Sequence, residues 1–168
     1  MIVSVPTYFL HALTQLHVHE TAGPAATKQI VDYWKEGQLD TWTPPEGDET
    51  PWCAAFVCAM LERGGMQSTR KANAKSFIKW GQEVAGFGLL GAVVVMNRAS
   101  GPPWQGHVGF CCGFVGENVH DLGGNQGNQV SIASFPKSRI VAVRYPLGIK
   151  PAEAAFFLPP TTVEPSVA

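Results

Sequence analysis

Apolar residues recur at helical spacing through the first half of the chain and gather into short β-rich runs through the second. Leu10, Leu13 and Leu16 follow Pro6 and predict a first helix. Ile30, Val31 and Trp34 share one side of a second, entered through Gly23-Pro24 and stopped by Gly37. Gln38 to Thr50 is rich in Pro, Gly, Thr and Asp and reads as a loop of a length that usually carries function. A third helix is predicted from Pro51 to Arg63: Thr50 suits its cap, Pro51 its first position and Gly64-Gly65 its stop, while Cys53, Phe56, Val57 and Met60 return to one face. A fourth covers Asn73 to Trp80. Beyond Gly81 the pattern turns to strands at Ala92–Met96, His107–Phe114, Val119–Leu122, Gln129–Ala133 and Arg139–Arg144. Helices first and an antiparallel sheet second is an α+β order. Residues 1–146 form one predicted domain, and 147–168, rich in Pro and Ala, a loosely attached extension.

Composition narrows the function classes. A chain of 168 residues, 45% hydrophobic and 15% charged, is long enough to bury a core without disulfides. Its formal charge of −1 offers no surplus for phosphate backbones or anionic lipid, so neither nucleic acid nor a membrane surface is an expected partner. Leu89 to Met96, among the longest apolar runs, is far short of the roughly 20 residues a membrane helix needs. The first twenty residues lack the basic start and small-residue cleavage site of a secretory signal, so synthesis in the cytoplasm without Sec-type export is expected. Cys53, Cys58, Cys111 and Cys112 are too few and too unevenly spaced for a disulfide framework, which leaves at least one free thiol.

That thiol is where chemistry enters. A cysteine in the first turn of a helix lies against about half a positive charge from unpaired amides, which favours thiolate. Cys53 has that position, and any base must be a neutral imidazole nearby. His107 is the best placed, since it opens the apolar run GHVGFCCGF; His11, His17, His19 and His120 read as surface or structural. Cys111 shares a strand face with His107 but has no helix dipole to ionise it. Cys58 lies about 140° round the helix from Cys53, and with no CxxC pair a zinc site is not expected. An imidazole also needs a polar group to hold it. If Gly116-Glu117 is a two-residue turn, counting back along both strands pairs His107 with Gln126 and sets Asn125 one residue away. The same count leaves Asp121 roughly 16 Å along the ladder, too far to act. Trp42, Trp52 and Trp104 are candidates for a peptide or sugar groove, with core packing the alternative.

Taken in order, Glu49-Thr-Pro-Trp-Cys-Ala-Ala-Phe-Val57, Gly106-His-Val-Gly-Phe110, Leu122-Gly-Gly-Asn-Gln126 and Phe135-Pro-Lys-Ser-Arg139 resemble the CHAP and NlpC-like papain-fold amidases and peptidases of bacteria and their phages. The likeness spans roughly residues 8 to 146, and Leu16-His-Val-His-Glu20 with Gly23 through Tyr33 looks like the two leading helices of a branch carrying PWCAAFV and GGNQ. It implies a papain-like fold and hydrolysis of an amide bond in peptidoglycan stem peptides, either muramoyl-L-alanine or within the peptide. It further implies Cys53 as nucleophile, His107 as base and Asn125 as orienter, with Gln126 the runner-up because Gly123 stands where many members carry Glu. Glu49, Trp52 and Trp104 are the expected supporting or substrate-binding residues. No metal or organic cofactor is implied, and a monomer is expected. As an injected antibacterial effector the protein would have an immunity partner; as a phage-type lysin it would usually add a wall-binding module, for which the tail after Leu147 is short. The alternative is a non-catalytic wall-binding protein on a degenerate papain-like fold.

Overall fold

One apolar helix organises the molecule. The computed structural model describes residues 5–21, 27–39, 51–85, 89–151 and 158–161. Within them α1 (Thr7–Leu13), α2 (Lys28–Glu36) and α3 (Cys53–Arg63) precede a 3-10 helix at Ala74–Lys79. Strands β1 (Gln82–Glu83), β2 (Val93–Asn97), β3 (Gly106–Val115), β4 (Asn118–Gly123), β5 (Ser131–Pro136) and β6 (Ile140–Tyr145) follow. They pair antiparallel in one sheet of order β1-β6-β2-β3-β4-β5, so the architecture is α+β. Among the described residues no helix is long and apolar enough to cross a membrane.

Every residue of α3 from Cys53 to Leu61 is buried, not only the face predicted for it. A helix apolar all round belongs inside a core, and α3 lies against α1, α2 and β3. Gly64 at its end lets α1 come close, because a Cβ there would lie 2.6 Å from the Cβ of Tyr8. The predicted leucine face of α1 forms only part of the contact, since Leu13 and Leu16 pack at the margin of the core and Leu10 does not. Steps of three residues fall about 60° short of a turn; Leu10 points outward and Leu16 lies beyond the helix, while Tyr8, Phe9 and Ala12 are buried. The rings of Tyr8 and Phe56 pack on Phe110 of β3, with centroids 5.5 and 6.3 Å away, and the Tyr8 hydroxyl donates to the carbonyl of Gly91 at 2.9 Å.

Central strands β2 and β3 are buried on both faces. Val93, Val95, Val108 and Phe110 join the core around α3, whereas Val94, Met96 and Cys111 join Val119, Phe135 and Tyr145 in a second cluster on the opposite face. This is why Val93–Met96 reads as a continuous apolar run without alternation. The β3–β4 hairpin turns at Gly116-Glu117 with Val115 opposite Asn118, as counted from the sequence, but a bulge between Cys111 and Gly113 then shifts the register. Cys111 faces Asp121 and Phe110 faces Leu122, one residue from the count of a regular hairpin. The bulge also supplies an anchor for the C-terminal segment expected to be loosely attached. Cys112 O accepts from Leu158 N at 2.9 Å, His120 Nδ1 lies 2.9 Å from Leu158 O, and Thr161 N donates to Ile132 O at 2.8 Å.

Between α1 and α2, residues 16–20 depart from the helical likeness. Leu16 and His17 form a turn, His17 takes φ 73°, and His19 bridges Gln129. Glu20 N donates to Asn128 O at 2.8 Å, so this segment is tied to the loop that follows β4.

Candidate active site

Helix α3 begins at Cys53, two residues later than predicted from Pro51, with Trp52 as its N-cap residue and no side-chain cap. Thr50, the predicted cap, lies outside the described residues, as does Glu49. The Trp52 side chain thus caps none of the first amides of α3, and Cys53 stands at that end of the helix. Trp52 is fully buried: its Nε1–H donates to Glu20 Oε1 at 2.6 Å, and its ring lies where a Cβ on Gly124 would approach within 2.5 Å. It therefore supports the start of α3 from within the core and does not line a groove.

Around the thiol, burial and polar neighbours oppose each other. Burial pushes the Cys53 thiol up, but the hydrogen bond and charge of His107, the Val108 backbone N–H and the charge of Arg98 outweigh it, so the thiol stands below its ordinary value. His107, next to the start of β3 and paired with Met96, is buried with its Nε2 3.2 Å from Asp121 Oδ2. Burial alone would lower its pKa; the Asp121 hydrogen bond first, then Cys53, raise it to about 9. Both shifts favour the thiolate–imidazolium form of the pair, with Nδ1 left as the ring nitrogen for sulfur.

The orienting residue corrects the sequence reading. Asp121, excluded by its separation along the ladder, is the carboxylate that holds His107. One reason is the bulge, which brings Asp121 a residue nearer. The second is that the face between them is vacant of side chains: at Gly109 a Cβ would stand 2.1 Å from Asp121 Oδ2, and at Gly123 one would stand 2.2 Å from Gln126 Nε2 and 3.0 Å from His107 Nε2. Two glycines leave a passage through which both polar side chains reach along the strands. Gln126 Nε2 donates to Asp121 Oδ2 at 3.0 Å, and Gln126 Oε1 accepts from Ser131 Oγ at 3.4 Å. Gln126 Nε2 also lies 3.3 Å from His107 Nε2, so Gln126, the residue counted opposite His107, touches both the ring and the carboxylate that holds it. Asn125 is buried at φ 58°, with no hydrogen bond joining its side chain to His107. Burial raises the Asp121 carboxyl above its ordinary value, while His107 and Gln126 pull it down. The signal for this arrangement was the glycine at matching positions of GHVGF and DLGG, each two residues from a polar member of the site.

Cys53 opens onto a cleft of about 540 Å³ that Trp34, Asn73, Arg98, Trp104 and Gln105 also line. Trp104, 65% exposed, lines the same cleft as Cys53. All four cysteines are free. Among the described residues no group of three or more His, Cys, Asp or Glu is placed to hold a metal ion. No protein-family model matches this chain, and a search of the curated proteins finds no match.

Proposed function

We propose that the protein is a cysteine hydrolase of papain-like, NlpC/CHAP-type architecture that cleaves an amide bond of peptidoglycan stem peptides. The observation that carries this reading is the buried relay from Asp121 through His107 to a thiol at the first position of α3. A thiol that only packs needs neither a charged partner nor a helix start. The order of the parts also supports the papain-like assignment: a nucleophile on a helix, then a histidine at the beginning of a strand, then its polar partner on the next strand.

In the reaction, Cys53 Sγ attacks the amide carbon and the oxyanion is held by backbone amides at the start of α3. His107 gives its proton to the departing amine, and the acyl group stays on sulfur as a thioester. Water then enters, His107 takes one of its protons, and the carboxylic acid leaves with the thiolate restored. Asp121 keeps the imidazole in the orientation and tautomer both steps require.

The peptidoglycan substrate rests on the resemblance of the ordered motifs, as does action on the cell wall after delivery as an antibacterial effector, with an immunity partner, or as a phage-type lysin. Mass analysis of muropeptides after incubation with purified sacculi tests it. New amine and carboxyl termini with wild type and none with Cys53→Ala are expected; wall binding without cleavage would support the non-catalytic alternative.

A further inference from the structure

We infer that Arg98 is the recognition group for a free carboxylate of the substrate, carried within a residue of the scissile amide. This rests on the hydrolase reading and adds to it a substrate class, an anionic peptide. Arg98 is the one charged side chain among the described residues that line the cleft with Cys53. Arg63 is paired with Glu36 and Arg70 with Glu62, whereas Arg98, like Arg139 and Arg144, has no ion pair to an acidic residue among the described residues, and of these three it alone lines the cleft. Its Nη1 donates only to the neutral Gln105 Oε1, at 3.3 Å, and its Nε is buried without a partner. A guanidinium has five donors in a planar fork matched to a carboxylate, and the described residues use few of this one's.

The position is built. Arg98 follows β2 directly, and its neighbour Asn97 is held on both groups: Lys75 Nζ donates to Asn97 Oδ1 at 2.8 Å and Arg139 Nε to Asn97 O at 2.8 Å. Lys75 Nζ also donates to Pro103 O, which ties the far side of the same loop. The charge lies near enough to Cys53 to favour its thiolate. A carboxylate seated on Arg98 would therefore lie beside the reacting carbonyl, and without the arginine it would be repelled by the thiolate.

The test uses muropeptides with free carboxylates and the same muropeptides converted to carboxamides. Wild type is expected to show kcat/KM about 10- to 100-fold higher on the free acids, the range of a charge-assisted contact. Arg98→Gln should bring the ratio near one, and Arg98→Lys should restore part of it. A loss in Arg98→Gln that is equal on both substrates would overturn the inference, since an effect on the thiolate alone does not discriminate between them. Protection of Cys53 from iodoacetamide by the same peptides reads binding without turnover. If wild type cuts neither substrate, the hydrolase reading fails. Preferential protection by free acids that is lost in Arg98→Gln would still support the anion site, and equal or absent protection would overturn it.

Discussion

Two thiols five residues apart on α3 behave in opposite ways. Cys53 and Cys58 are both buried, and burial by itself raises both. At Cys58 the other neighbours are the hydroxyls of Ser68 and Thr69 and backbone groups of Arg70 and Lys71, and the thiol stays above its ordinary value. At Cys53 a buried imidazolium, a strand amide and an arginine reverse the outcome. Helix position contributes too: Cys53 is at the N-terminus where the amides are unpaired, whereas Cys58 is mid-helix where they are spent on backbone bonds. The direction of a buried thiol's pKa is thus set by the charge and donors that reach it, not by exposure.

The broadest way to break this comparison is to remove each sulfur. Cys53→Ala should reduce turnover by about 10⁴-fold or more, whereas Cys58→Ala should keep turnover within a few-fold and lower stability by about 1 kcal/mol. Steady-state kinetics and denaturant titration separate the two. In the native protein iodoacetamide should label Cys53 before Cys58 or Cys112, whose pKa burial drives well above the ordinary value; the reverse order would remove the argument.

Next in size is the carboxylate behind the imidazole. Asp121→Asn should cost about 10²- to 10⁴-fold in kcat. The pH profile carries the sign. Because the folded His107 holds its proton up to about 9, kcat/KM of the wild type should fall on the alkaline side as pH passes about 9. Without Asp121, the largest contribution raising that pKa is gone, so the alkaline limb should move to lower pH. An unchanged limb would mean that Asp121 does not hold the ring.

Sharper still is Gly109→Ala, which leaves every polar group in place and fills the space between His107 and Asp121. The added methyl would press on Asp121 Oδ2, and a loss of about 10²-fold is expected from misplacement of the relay, with Cys58 reactivity unaltered. Asn125→Ala should have the smallest effect, within about five-fold, because an orienter acts by contact with the ring and none joins Asn125 to His107. A loss exceeding that of Asp121→Asn would restore Asn125 as the orienting residue.

The helix-start thiol was legible because its signals are local: Pro51, the apolar period through Met60 and Gly64-Gly65 delimit a helix, to within two residues at its start, whatever it packs against, and place Cys53 in its first turn. The strand opened by His107 and the Gly116-Glu117 turn were legible for the same reason. The face of α1 and the identity of the orienter were not. Aromatic packing on Phe110 decided the first, and an extra residue at Cys112 decided the second, since a bulge changes which residues meet without leaving a local mark. Asp121 reaches His107 only because Gly109 and Gly123, on two different strands, are brought over the same space. Residue types and helix limits are properties of short segments, which sequence alone determines; register and the shared vacancy between strands arise from pairing, which only the tertiary structure decides.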